Sequence, residues 1–392
     1  MDKIKIIQSK LKEFNIDGWL FYDFHNRDPI AYRILGLDPG KLATRRWYYL
    51  IPASGSPKKL VHSIESTKLD ILSGEKYVYL PWNQQQAFLK EILTGIRTLA
   101  MQYSPLNSIP YISMVDAGTV ELIKSFGIDV VSSADLVQIF EAYVSPEEYK
   151  NHKEVGEIIH SILNNSFLEI RQKINQRKKV TEYDIQQSII NSFKANKLTT
   201  DGDLPIVGVN KHSGDPHFDL TESNSSEIKE GDFVLIDLWA KKDIPEGIYF
   251  DITWTGYVGD KIPKKYLDTF EIVKNARDKG VEFIKERFKK GEDIFGYEVD
   301  DVVRNPIKLS GYGDYFIHRT GHSIGKDVHG NGANIDNLET KDERKLLPGS
   351  LFSIEPGIYF KEFGIRSEIN VYISEEKEVI ITGPKQEELI KI

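Results

Sequence analysis

Apolar and polar positions follow two different patterns along the chain, and the change falls near residue 145. Up to about residue 144, short β-branched or aromatic runs at 18–23 (GWLFYD), 46–52 (RWYYLIP), 59–62 and 77–82 are separated by helical stretches. That alternation predicts an α/β domain. Ser145-Pro146 then marks a boundary, since proline suits the first turn of a helix better than its interior. Beyond it Val155, Ile159, Leu163, Phe167, Ile170 and Ile174 recur at helical spacing. Thr181, with Asp184 three residues on, has the form of a helix N-cap. A third helix is expected from about residue 265 to 290, ahead of Gly291. Runs dense in Ile, Val, Phe and Tyr at 232–239, 248–256, 350–360 and 365–373 predict strands that meet in hairpins. The expected organisation is an α/β domain over 1–144 and an α+β domain over 145–392.

Composition adds exclusions. The 392 residues, 40% hydrophobic and 28% charged, suffice for two or three folded domains. A net charge of -8 argues against a phosphate-tracking surface, so nucleic acid is not an expected partner. Residues 1–144 hold 16 basic and 15 acidic side chains and the remainder 35 and 44, so a cation is better sought in the second part. The absence of cysteine removes disulfides, zinc-thiolate sites and cysteine nucleophiles together. Any metal must be held by oxygen and imidazole nitrogen. The first 20 residues lack the apolar core of a signal peptide, and no stretch reaches the ~20 apolar residues of a membrane span, so the cytoplasm is expected and the membrane is not.

Within the second part, carboxylates interrupt runs that should be apolar: Asp237 in FVLIDLWA and Asp251 in FDITWTGY. A hairpin turning at 243–245 would set the two directly opposite, with Cβ atoms ~5 Å apart. Two ionised carboxylates that close repel unless a proton or a cation lies between them. Glu355 in FSIEPGIY and Glu368 in IRSEINV repeat the pattern across a KEFG turn. Arg366, two residues before Glu368, shares its strand face, where it would orient that carboxylate, form an ordinary salt bridge or hold a substrate carboxylate. Between the pairs, HRTGHSIGKDVHG gathers His318, His322 and His329, three of the nine histidines, among glycines that disfavour a helix. An oxygen-rich site with one or two imidazoles and no sulfur suits manganese, cobalt, iron or zinc.

In the contexts LID, DITWT, HRTGH, FSIEPGIY and GIRSE, residues Asp237, Asp251, His322, Glu355 and Glu368 match in order the five metal ligands of the pita-bread metallopeptidases, the family of aminopeptidase P, prolidase and methionine aminopeptidase. The resemblance covers 146–392, and the first 144 residues, with DGWLFYDFHN near their start, resemble the creatinase-type domain of aminopeptidase P and prolidase. It implies two divalent ions, manganese first among them, bridged by a hydroxide that attacks an Xaa-Pro bond at a peptide N-terminus or in a dipeptide. It further implies Glu355 as the base, His217 (in GDPHFD) and His329 as the histidines that contact the peptide and the tetrahedral intermediate, and His318 as another active-site histidine. A peptide substrate and a homodimer are expected with it.

The chain departs from that pattern at Leu238 and Trp239 after the first aspartate, at Trp254, at Arg319 and at Gly330. Trp239 shares the face of Asp237 and would narrow the substrate pocket. Two other readings remain open to test, a creatinase-like amidinohydrolase that needs no metal and a peptide- or partner-binding protein without turnover.

Overall fold

Trp19 and Phe21 turn to one face of a strand whose Leu20 and Tyr22 turn to the other, and all four are buried. Covering both faces takes a layer of helices on each side, and the first unit, Met1–Glu141, supplies them. Its order is α1 (Lys3–Glu13), β1 (Gly18–Asp23), α2 (Pro29–Leu35), β2 (Trp47–Pro52), β3 (Lys58–His62), β4 (Glu75–Tyr79), α3 (Trp82–Ile92), β5 (Thr98–Met101), α4 (Ala117–Lys124), β6 (Asp129–Ser132) and α5 (Ala134–Glu141). The sheet runs β4-β3-β2-β1-β5-β6. Residues of α1, α2 and α5 pack on one face and residues of α3 and α4 on the other. This computed structural model describes residues 3–41 and 43–392.

The second unit, Ala142–Ile392, opens with α6 (Pro146–Asn175), capped by Ser145 and Glu148, and α7 (Glu182–Ala195), capped by Thr181 and Asp184. Then follow β7 (Leu198–Thr199), β8 (Ile206–Val209), β9 (Phe233–Lys242), β10 (Phe250–Tyr257), α8 (Lys264–Lys289), α9 (Gly296–Leu309), β11 (Leu351–Ile354), β12 (Gly357–Tyr359), β13 (Gly364–Arg366), β14 (Ile369–Ile373), β15 (Val379–Thr382) and β16 (Ile390–Lys391). One core joins α6 and α7 to β9 and β10, and a second joins α8 and α9 to the strands after residue 350. Each helical pair thus backs one hairpin system. The sequence pattern overlooks α9, whose Pro306 sits in its last turns. Among the described residues, no helix is long and apolar enough to cross a membrane.

Candidate active site

Strand alternation decides which side chains reach the inside of the second unit. Val234, Ile236, Leu238 and Ala240 on β9, with Phe250, Ile252 and Trp254 on β10, pack against the α6–α7 layer. The intervening Asp237, Trp239, Asp251 and Thr253 therefore share the opposite face. The register pairs Asp237 with Thr253 and Asp251 with Trp239, so the two aspartates stand diagonally and not directly opposite, as a turn at 243–245 would have set them. The reason is that β7 pairs with Lys241 and Lys242, carrying β9 past its expected end and displacing the turn by one residue. A register change of two residues keeps both carboxylates on the same face.

The second hairpin system differs in a more useful way. A single register runs through Leu351↔Tyr372 and Gly357↔Arg366, but the ladder is interrupted around residues 355–356 and 367–368. Carried across the gap, that register sets Glu355 opposite Glu368. Their amides bond elsewhere: Glu355 N–H to Thr320 O (2.7 Å) and Glu368 N–H to Thr253 O (3.3 Å). The Asn370 side chain bonds both backbone groups of Asp251, tying this system to β10.

His322 arrives on the coil before β11. Its N–H donates to Ser353 Oγ (3.0 Å) and its carbonyl accepts from Ser353 N–H (2.9 Å). Gly321 is what lets that coil approach, because a Cβ there would lie 2.0 Å from Ser353 O.

The side chains meet. Asp251, His322 and Glu368 bring ligand atoms within 4.8 Å of one another. Glu355 Oε1 lies 3.3 Å from His322 Nε2 and accepts from Ser353 Oγ (3.0 Å). Thr253 Oγ1 is 2.8 Å from Asp237 and 2.9 Å from Glu368. The five residues expected as ligands are thus in one place. Burial pushes Asp237 up to about 6 and Asp251 to about 7, despite the opposing charge of Arg366. Burial, and after it the neighbouring carboxylates, drives Glu368 well above the usual range. Asp251 Oδ1 and Glu368 Oε1 are buried with no hydrogen-bond partner in the protein. Such orphaned acceptors beside an imidazole fit a divalent ion.

Arg366 joins this cluster directly. It bonds Asp237 through Nη2, donates through Nε to Thr253 Oγ1 (2.8 Å), and reaches Tyr359 Oη (3.3 Å) and Pro216 O (3.5 Å) through Nη1. Tyr359 Oη in turn lies 2.7 Å from His318 Nε2, while His318 Nδ1 faces Arg319 O at 2.6 Å. The carbonyl fixes the proton on Nδ1, so Tyr359 donates to Nε2. Burial, and then Arg366, keeps His318 neutral. His329 packs edge-on against the His322 ring, 4.4 Å between centroids, and is otherwise exposed. His217 is exposed on the 215–219 loop, where its N–H donates to Asp215.

Of the departures, Trp254 points into the helix-side core against His160, whereas Trp239 stays on the Asp237 face beside Tyr249, Ile324 and Val328. A side chain at Gly330 would meet Ser323 at 3.0 Å. Sequence reasoning passes over Thr253, Ser353 and Tyr359, although each lies at an even spacing from a carboxylate in the same apolar run, which is the signal that finds them. It also passes over Glu182, fully buried, which receives His212 Nδ1 at 2.8 Å.

Residues 150–375 match the model of metallopeptidase family M24, and the chain belongs to that family. A Mycoplasma genitalium protein is 33% identical over 206 residues, 52% of this chain and 53% of that one. The Xaa-Pro dipeptidase of Lactobacillus helveticus is 30% identical over 245 residues, 62% and 60% of the two chains. The chain thus spans between half and two thirds of the length of these relatives. The crystal structure of the prolidase from Pyrococcus horikoshii superposes over 100% of both chains with a TM-score of 0.63 at 25% identity. The architecture is that of the pita-bread fold.

Proposed function

We propose that this chain is a dinuclear metallopeptidase that hydrolyses the Xaa-Pro bond of short peptides. The observation that carries the reading is the meeting of Asp251, His322 and Glu368 beside orphaned carboxylate oxygens. Asp237, Asp251, His322, Glu355 and Glu368 would hold two divalent ions, with manganese the metal we favour. When bound, the ions supply Lewis acidity, polarising the scissile carbonyl and bringing the pKa of the attacking water toward ~7.

The rest is work of the chain itself. Glu355, with 13% of its side chain exposed against 5–10% for Asp237, Asp251 and His322, is the most open of these four and takes the proton of the water. His217 and His329 donate to the oxygen that gains charge at the tetrahedral stage. His318, neutral and aligned by Tyr359, lines the same cleft. Arg366 orients Asp237 by holding Oδ2 while Thr253 holds Oδ1, and Trp239 bounds the pocket on the Asp237 face.

The test is turnover of Gly-Pro and of a longer Xaa-Pro-Xaa peptide by the full chain, before and after chelation and after manganese is restored. Manganese-dependent cleavage of either is expected. Activity that survives chelation would favour a metal-independent hydrolase, and metal binding without turnover a binding protein.

A further inference from the structure

The coil that carries His318, His322 and His329 has little regular structure of its own. It is tied to β11 by backbone bonds of His322 with Ser353 and of Ile324 with Leu351, with an isolated bridge at Ser323↔Phe352, and it pairs at Gly321↔Ile335 with another stretch outside the strands. What fixes its neck lies on α9. Asp300, fully buried, accepts from Thr320 N–H through Oδ1 (3.0 Å), and through Oδ2 from Asn337 N–H (3.0 Å) and Arg304 Nε (2.6 Å). Arg304, one turn on, donates through Nη1 to Phe316 O (3.0 Å) and through Nη2 to His318 O. Its guanidinium lies 4.0 Å from the Phe316 ring, whose edge meets the His318 ring at 5.2 Å.

This one acid–base pair therefore reads four backbone groups, at 316, 318 and 320 on one arm and at 337 on the other. The alternate spacing of the first three means that the helix grips one edge of an extended arm. The grip is transmitted onward, because Thr320 O accepts from Glu355 N–H (2.7 Å) and Gly321 exchanges both backbone bonds with Ile335. A charge pair with its carboxylate buried and its guanidinium partly buried, so fully hydrogen-bonded, is weak evidence of net stabilisation but strongly restricts geometry.

We propose that Asp300 and Arg304 are positioning residues, holding His318 and His322 in place relative to Tyr359 and Glu355. The effect on catalysis rests on the peptidase reading above. The effect on the histidines does not.

The experiment compares Arg304→Lys and Asp300→Asn with Arg287→Ala, which removes ion pairs to Glu292 and to Glu298 in the first turn of α9 and so controls for a general loosening of that helix without touching the contacts to the coil. Each full-length protein is labelled with 15N-histidine, and the ring resonances of His318 and His322 are recorded without metal at one pH. Manganese affinity, kcat, KM and the thermal midpoint are then measured, with kinetics taken at equal distance below each midpoint. Lysine keeps a charge opposite Asp300 but lacks the planar fork that reaches Asp300, Phe316 O and His318 O together. The expected result is displaced His318 and His322 ring signals and a kcat lower by roughly tenfold or more, the scale of sub-ångström to ångström misplacement, in the Arg304→Lys and Asp300→Asn proteins. The Arg287→Ala protein should keep wild-type ring signals and kcat. Unmoved ring signals in Arg304→Lys, or equal displacement in Arg287→Ala, would overturn the inference whatever the rates. If the unmodified chain cleaves neither peptide, the peptidase reading fails and the ring signals still decide this one. Should Asp300→Asn fail to fold, Arg304→Lys alone carries the test.

Discussion

Asp251 and Glu368, on different hairpin systems, each hold one buried carboxylate oxygen that no group in the protein satisfies, and their ligand atoms stand within 4.8 Å of one another. In the protein alone this arrangement opposes folding, since desolvation and mutual repulsion both disfavour the ionised forms. With a divalent ion it becomes favourable. Glu368→Gln should therefore raise the thermal midpoint in chelator and lower it in saturating manganese, because it relieves repulsion in the first case and removes a ligand in the second. Midpoints measured in both conditions check this; a shift of the same sign in both would refute it.

A different imbalance holds Arg366 against Asp237. Both side chains are almost entirely buried, and removing one partner leaves the other charge uncompensated. Arg366→Met should cost about 3–5 kcal/mol of stability, the usual penalty for breaking a buried pair, while Arg366→Lys, which keeps the charge and loses the fork to Thr253 and Tyr359, should cost less. Urea unfolding of both proteins in chelator gives the comparison. A loss below about 1 kcal/mol for Arg366→Met would mean that Asp237 is already protonated in the native state.

Kinetic variants separate the proposed roles. Glu355→Ala should abolish hydrolysis with the fold intact. His217→Ala and His329→Ala should each lower kcat by about 10²-fold or more with metal content retained, the scale for a lost donor or proton carrier. His322→Ala should lose metal first and activity as a consequence. Metal analysis alongside kcat for the four proteins tests this; metal loss in His217→Ala with recovery at high manganese would move that residue into the ligand set.

Much of this was legible because period-2 alternation is a local property. Asp237, Asp251, Glu355 and Glu368 announce themselves as charges in apolar runs, the cap at Thr181 is readable from its three-residue spacing to Asp184, and the start of α6 from Ser145-Pro146. Register was not legible, because β7 extends β9 from outside the hairpin. Nor was the interruption of the second ladder, which depends on Thr320 and Thr253 competing for the amides of Glu355 and Glu368. Helix α9 was missed although Val299, Val303 and Ile307 keep helical spacing. Pro306 within it and Phe295 at its start, where no Ser, Thr, Asp or Asn offers a cap, hide its boundaries.

His152 gives a pH dependence with a definite sign. Its ring, on α6, is fully buried, with Nδ1 2.7 Å from Tyr249 O and Nε2 2.9 Å from Thr382 Oγ1. Burial pushes its pKa down to about 4 from the ordinary 6.5. Between those values the unfolded chain binds a proton that the native protein does not, so stability rises with pH through this window. The contribution is complete above about pH 6.5 and is lost as pH falls to about 4, at roughly 1.4 kcal/mol per unit and about 3 kcal/mol in all. His160, also pushed down to about 4, acts in the same direction but is common to wild type and variant and cancels in their difference. In His152→Gln the amide can replace both hydrogen bonds without titrating. Its stability should fall below wild type at pH 7.5 by an amount that shrinks steadily toward pH 4.5. Urea titrations in chelator, which removes the separate pH dependence of metal binding, measure the gap, and a gap of constant size across the window would show that His152 is protonated as easily in the native protein as in the unfolded chain.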